Sequence, residues 1–245
     1  MKYLVLILAI LQPITSYLAA TGNGRFMDEA SGPLISPAGY AFVIWSVITT
    51  GSLIYAFYQV LPKRKNEELY TRIAPYAAGL FAGFSIWLYA ASKDWLWATV
   101  LIFISMGYFL ARLYPHILRA VAAKKFSVFE MIIVYGTFGL YAGWTTVAIF
   151  ANIAAALKFS GVSDTGSMGL VWQAAILIAA AATSVVLLLR TKGSTPYGAA
   201  MLWGFVAIVV GVLEKSTDAL LLAVLAAAAS LSLIGAYLYA RKRPA

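Results

Sequence analysis

The stretch YAGWTTVAIFAN, from Tyr141 to Asn152, lies in the middle of a long apolar segment. Residues three and four apart share a face of an α-helix. Spacings of three, four and four therefore place four residues on one stripe, about three turns long: Tyr141, Trp144, Ala148 and Asn152. An unpartnered amide is costly in hydrocarbon, so Asn152 is expected to face protein or a ligand. The stripe is then either a packing face, with Asn152 bonded to a neighbouring helix, or one wall of an aromatic-lined pocket.

The composition is that of an integral membrane protein. Of the 245 residues, 62% are hydrophobic and 11% are charged, whereas soluble domains carry about 25% charged residues. The absence of cysteine excludes disulfides, thiolate metal sites and cysteine nucleophiles. A single histidine, His116, excludes multi-histidine ligation of a metal or haem, and no catalytic set of side chains can be assembled. We therefore expect no enzyme activity, no metal site and no bound cofactor.

The apolar segments predict an all-α polytopic bundle of eight transmembrane helices. Their predicted spans are 1–20, 37–61, 73–91, 95–113, 127–157, 170–189, 197–212 and 218–240. The first span also fits a signal peptide, but its length favours a retained helix. A polar loop from Thr21 to Ser36 follows it, and long loops in compact chains are often lids or binding loops.

The basic residues favour one side of this bundle. With eight helices, 14 Lys and Arg residues fall on the side of the termini and 4 on the other. Basic loops are retained in the cytoplasm, so both termini are expected to be cytoplasmic. The formal charge of +9 therefore indicates orientation in a membrane rather than binding of nucleic acid.

Aromatic residues are the main candidates for a binding site. Trp45 and Trp144 lie well inside their spans, and Trp87 lies in the outer half of the third span. Trp45, Trp87, Ala148 and Asn152 are expected in the outer half, beneath the Thr21–Ser36 loop. Aromatic rings and a few polar groups that converge under a loop are typical of a small-molecule site.

These residues resemble a known family. The run SPAGYAFVIW, from Ser36 to Trp45, is similar to the start of the second helix in the TspO/MBR family of translocator proteins, tryptophan-rich sensory proteins and peripheral benzodiazepine receptors. The run LYAGWTTVAIFAN resembles the fifth-helix pattern PYxxWxxxAxxxN of that family, and Trp87 matches its third-helix tryptophan. The resemblance extends from Met1 to about Phe159.

Three positions depart from the family pattern. Leu140 replaces the fifth-helix proline, Phe84 replaces a third-helix asparagine, and Gly39 replaces a tryptophan near the loop. Tyr40 and Phe42 are expected to supply the aromatic surface that this last change removes.

The resemblance implies a five-helix TspO-like domain over residues 1–159, followed by three additional helices and a basic tail over 160–245. It implies a receptor or translocator for a flat hydrophobic ligand, with porphyrin or haem as first candidates and sterol-like lipids second. The implied binding residues are Tyr40, Phe42, Trp45, Trp87, Tyr141, Trp144, Ala148 and Asn152. A bacterial inner membrane is the expected location, and membrane lipid is an expected partner.

The resemblance also implies a homodimer through the third helix. Gly79 and Gly83 form a GxxxG pair there, which allows close helix approach. The alternative from the residues alone is that this pair packs against another helix of the same chain.

Two other functions stay open at this point. One is a secondary carrier in which the last three helices complete a translocation path. The other is a membrane enzyme acting on a tetrapyrrole or a lipid, for which the sequence offers no acid, base or metal constellation.

The charge asymmetry gives a direct test of topology. A reporter fused after Ala245 should read cytoplasmic, and one inserted at Gly161 should read external, because the positive-inside rule orients all eight spans together. A Gly161 reporter that reads cytoplasmic would contradict the predicted number of helices.

Overall fold

A computed structural model describes residues 1–20, 32–64, 67–216 and 218–242 of the chain. Within those residues eight helices are long and apolar enough to cross a membrane, and none forms a strand, which confirms the predicted all-α bundle. The helices are α1 (Lys2–Ala20), α2 (Ile44–Val60, after a 3-10 turn Gly39–Val43), α3 (Glu68–Ser92), α4 (Leu96–Ala122), α5 (Val128–Phe159), α6 (Gly166–Arg190), α7 (Thr195–Lys215) and α8 (Leu220–Lys242). Of the Thr21–Ser36 loop, residues 21–31 lie outside the described residues.

The clearest correction to the predicted spans concerns α4. The predicted span ended at Leu113, but the helix continues to Ala122 and contains Pro115. Tyr114, Ile117 and Ala120 are buried on one face of this extension. Amphipathic spacing of this kind stabilises a helix by packing, so His116 lies in a helix and not in a loop.

The chain forms two compact units, and the boundary between them falls inside α5. Unit 1 contains residues 1–24 and 43–142, and unit 2 contains residues 25–42 and 143–245. The division after residue 159 follows the family resemblance rather than compactness, and it stays a prediction.

In unit 1, α1 packs against α2 and α3, and α3 packs against α4. Val5, Ala9 and Gln12 recur at helical spacing on α1 and are fully buried. Thr15 of α1 also donates a hydrogen bond to Ser85 of α3, at 3.2 Å between the two hydroxyl oxygens. The first helix therefore contributes to the core of this unit.

The start of α5 is fixed by a buried carboxylate. Ser127 and Glu130 form a capping box, in which each side chain bonds the backbone N–H of the other. Tyr70 of α3 donates to Oε1 of Glu130 at 2.6 Å. A π-helical turn, Met131–Gly136, follows, and regular α-helix resumes at Thr137. The spacing argument for the Tyr141 stripe therefore holds.

In unit 2, α8 packs against α6 and α7, while α5 approaches α7 closely. A Cβ atom at Gly143 would collide with the carbonyl oxygen of Tyr197, so only glycine fits there. Thr146 and Tyr197 share a hydrogen bond of 2.8 Å between their hydroxyl oxygens. Small residues and interhelical hydrogen bonds are the main means of helix association inside a membrane.

The segment before α2, residues 32–38, is tied to the helices of unit 2, and we call it the strap. Four hydrogen bonds hold it: Lys158 Nζ to Gly32 O (2.9 Å), Lys215 Nζ to Pro33 O (3.1 Å), Ile35 N to Gln173 Oε1 (3.2 Å) and Ala38 N to Ala207 O (2.9 Å). The strap leads directly into the 3-10 turn that carries Tyr40 and Phe42.

The glycine pair of α3 faces α4 of the same chain. A Cβ atom at Gly83 would lie 2.7 Å from Cγ of Met106, and one at Gly79 would lie 2.6 Å from the ring of Phe109. Both glycines therefore lie close to side chains of α4. The homodimer and its interface at Gly79 and Gly83 stay predictions.

Replacing Gly83 with leucine tests that packing. The larger side chain must displace Met106, and overpacking a core costs about 1–3 kcal/mol. Gly83→Leu should therefore lower the unfolding midpoint in detergent, whatever the oligomeric state. Gly235→Ala is the matched control, because a Cβ atom there meets nothing within 4 Å. A stable Gly83→Leu protein that only changes from dimer to monomer in size-exclusion chromatography would contradict the intrachain packing.

Candidate functional site

The structure distributes the eight predicted binding residues over the two units. Trp45, Trp87 and Tyr141 belong to unit 1, and the other five belong to unit 2. Six of the eight are buried, whereas Tyr40 and Phe42 are partly exposed.

In unit 1, Trp45 is the centre of an aromatic cluster. Its ring centroid lies 4.8 Å from that of Phe84, 5.4 Å from Trp87 and 5.5 Å from Tyr141. Phe103 closes the cluster at 5.1 Å from Trp87. Phe84 occupies the position where the resembled family has an asparagine, so the substitution adds a ring to this cluster. These ring pairs are tilted or edge to face, which are arrangements that aromatic pairs prefer.

A polar group borders this cluster. Gln12 of α1 donates from Nε2 to the hydroxyl oxygen of Tyr141 at 3.4 Å. The Oε1 atom of Gln12 and the hydroxyl of Ser52 are both buried, and no described residue bonds to either. Unit 1 thus holds two buried polar atoms without a hydrogen-bond partner among the described residues, and one of them belongs to a side chain that contacts the aromatic cluster.

In unit 2, the Asn152 amide is only half satisfied. Its Nδ2 donates to the carbonyl oxygen of Ala148 at 2.8 Å, which is a bond within its own helix. Its Oδ1 is buried, the residue is 4% exposed, and no described residue donates to that atom. The expected bond from Asn152 to a neighbouring helix is thus not found among the described residues, and one acceptor stays open.

Thr145, on the same face of α5, also has a buried polar atom without a partner among the described residues. It precedes Asn152 by seven residues, which is close to two full turns and about 10 Å along the axis. Its hydroxyl is buried and has no partner in the described part of the chain. The methyl group of Ala148 lies between these two polar positions. Sequence reasoning missed Thr145, although the interval of seven residues from Asn152 was a visible signal.

Aromatic rings accompany this face. Phe42 meets Trp144 edge to face, with centroids 6.0 Å apart. Tyr40 meets Trp203 of α7 in the same way at 5.3 Å, and Trp203 donates from its indole N–H to the carbonyl oxygen of Ala41 at 3.0 Å. Sequence reasoning missed Trp203 because it lies beyond Phe159, where the resemblance in the sequence ended.

The chemistry available here is that of binding. The α5 face offers one amide oxygen, one hydroxyl and an indole ring, with no carboxylate or imidazole among them. Among the described residues, no three His, Asp or Glu side chains are placed to hold a metal ion.

Comparison with known proteins adds one finding. A family model described as TSPO-like protein matches residues 2–239, which includes the last three helices as well as the first five. No curated protein and no solved structure matches the chain.

Substitutions of two buried amide side chains in unit 2 test whether Oδ1 of Asn152 lacks a hydrogen-bond donor. Asn152→Leu removes an unsatisfied polar atom, so the free energy of unfolding should stay the same or rise by about 1–3 kcal/mol. Gln173 is the matched control, because its Oε1 accepts from Ile35 N and its Nε2 donates to the carbonyl oxygens of Asp164 and Gly169. Gln173→Met should lower the free energy of unfolding by about 1–3 kcal/mol, since it leaves a backbone N–H unpaired. Equal losses of stability in the two variants, measured by denaturing-detergent titration, would show that Asn152 has a structural partner.

Proposed function

Because the chain belongs to the TSPO-like protein family, we propose that it is a membrane receptor or translocator for a flat hydrophobic molecule. Porphyrin or haem is the first candidate ligand, and a sterol-like lipid is the second. The chain is an integral multi-pass membrane protein, and we place both termini in the cytoplasm on the basis of its basic loops.

The observation that carries this proposal is the open acceptor of Asn152. An unsatisfied polar atom in an apolar interior costs about 1–3 kcal/mol, and such a cost is offset when a ligand donates to it. Thr145 offers a second polar position on the same face, and only the methyl group of Ala148 lies between the two. A ligand that spans this face would have an apolar body and polar groups about 10 Å apart along α5.

The aromatic neighbours favour a planar ligand. Trp144 supplies a large indole face, and stacking of aromatic systems contributes about 0.5–1.5 kcal/mol beyond burial. Phe42 lies edge-on to Trp144 and is 37% exposed, so a rotation of its ring makes room at Trp144. The strap fixes the backbone on which Phe42 sits, so this opening is a movement of a side chain.

The Trp45 cluster has a supporting role in this proposal. Its rings contact one another, and Tyr141 precedes Trp144 by less than one turn of α5. Through Tyr141, the cluster therefore holds the part of α5 that belongs to unit 1.

Two substitutions on the α5 face test the binding site. Trp144→Ala removes the stacking surface and should weaken protoporphyrin binding about tenfold to a few hundredfold. Ala148→Phe should weaken it by filling the space between Thr145 and Asn152. Titrations followed by the Soret absorbance of protoporphyrin measure the dissociation constant independently of the number of tryptophans.

The control is a tryptophan outside this face. Trp97 is 52% exposed near the start of α4, where tryptophans anchor helices at the membrane surface. Trp97→Ala should leave protoporphyrin affinity unchanged. If folded Trp144→Ala and Ala148→Phe proteins bind protoporphyrin as tightly as the wild type, the face is only a packing surface and the proposal fails.

A further inference from the structure

A cavity lies in unit 1 at the basic ends of its helices. It has a volume of about 530 Å³ and is formed by the α2–α3 connection, the beginning of α3, the end of α4 and the start of α5. Four of its lining residues are permanent cations, three are carboxylates, and one is the single histidine: Arg64, Arg72, Arg119, Lys125, Glu67, Glu68, Glu130 and His116. None of these residues belongs to the α5 face described above.

The three carboxylates are already committed to other partners. Glu67 pairs with Arg64, and Glu68 pairs with Arg72. The hydrogen bond to Glu67 raises the pKa of the Arg64 guanidinium.

Glu130 is committed most completely. Its Oε1 accepts from the Tyr70 hydroxyl at 2.6 Å, and its Oε2 accepts from the Ser127 backbone N–H at 3.0 Å and from the Ser127 hydroxyl at 2.7 Å. Arg64 lies 3.6 Å from the same carboxylate. The side chain is buried, so these bonds hold it in one position and leave it little capacity for another cation.

Two cations of the cavity are left without a carboxylate partner in the described part of the chain, namely Arg119 and Lys125. Arg119 is held by its own helix, since Nε donates to the carbonyl oxygen of Pro115 at 3.2 Å. Its Nη2 lies 3.0 Å from Nδ1 of His116. A guanidinium only donates, so Nδ1 must accept and the neutral imidazole carries its proton on Nε2. His116 thereby becomes a third hydrogen-bond donor at the cavity.

The position of Lys125 is fixed by the end of α4. Lys124 adopts the left-handed conformation, with φ of 51°. The N–H of Lys124 donates to Val121 O at 2.9 Å, and the N–H of Lys125 donates to Ala120 O at 3.0 Å. This pair of bonds is a Schellman motif, which closes a helix with a defined backbone.

We propose that this cavity binds a phosphate group through Arg119, Lys125 and His116. Guanidinium and ammonium groups form strong charge-assisted hydrogen bonds with phosphate oxygens. Leu69 and Phe126 add apolar surface to the same cavity. Basic pockets at helix ends bind the headgroups of anionic lipids. The same three side chains could also donate hydrogen bonds to a free phosphate ion.

Native mass spectrometry of the full-length protein in detergent tests this site. Dioctanoyl phosphatidylglycerol should bind at one saturable site, whereas dioctanoylglycerol, which lacks the phosphate, should not. Arg119→Gln should weaken phosphatidylglycerol binding about ten- to a hundredfold, because it removes a charge-assisted interaction. Lys125→Gln should act in the same direction and is the second variant should Arg119→Gln fail to fold. Arg190→Gln is the matched control, since it removes a basic residue from the last turn of α6 that is not among the lining residues.

A separate titration with inorganic phosphate shows whether the bound phosphate group belongs to a lipid headgroup or to a soluble ion. If phosphatidylglycerol binds and inorganic phosphate competes only at far higher concentration, the ligand is a lipid headgroup. If inorganic phosphate binds as tightly and depends on Arg119 in the same way, the site takes a soluble phosphate. Equal losses in Arg119→Gln and Arg190→Gln, or no saturable binding of either probe, would overturn the proposal.

Discussion

The structure depends on one constraint, which is that α5 is buried on every side over more than two turns. Every residue from Tyr141 to Ala148 is buried, so this part of the helix has no lipid-facing surface. A helix in that position can carry polar side chains only where they find partners or serve a ligand. Thr146 bonds Tyr197 across to α7, whereas Thr145 and Asn152 keep atoms that no described residue satisfies. The polar groups of α5 are therefore of two kinds: those bonded to a neighbouring helix, and those whose open hydrogen-bonding capacity we assign to a ligand.

Much of the fold was predictable because membrane spans are determined by apolar length. The eight spans and the all-α class follow from runs of about twenty apolar residues and are confirmed. The ends of the helices were not predictable in the same way. The extension of α4 past Leu113 depends on the burial of Tyr114 and Ile117, which a hydropathy pattern interrupted by basic residues does not show. The π turn at Met131–Gly136 likewise leaves no clear mark in the sequence.

The sequence predicted which α5 residues share a helical face, but it could not predict which aromatic rings contact each other. The spacing of Trp144, Ala148 and Asn152 correctly placed them on one helical face, because regular α-helix resumes before that stretch. The sequence could not show that Trp45 and Trp87 contact each other in unit 1, while Trp144 pairs with Phe42 in unit 2. Such pairings depend on the rotation of each helix about its own axis, which close contacts such as Gly143 against Tyr197 determine.

The strap shows how a few polar bonds can prepare a site without taking part in it. Lys158 and Lys215 were counted among the four basic residues opposite the termini, and both donate to carbonyl oxygens of the strap. Lys158 also pairs with Asp164 at 2.7 Å, so its charge is neutralised locally. These bonds fix the chain just before the 3-10 turn, where Phe42 must lie at a defined distance from Trp144. Two lysines that the sequence analysis counted only for orientation therefore also hold the strap in place.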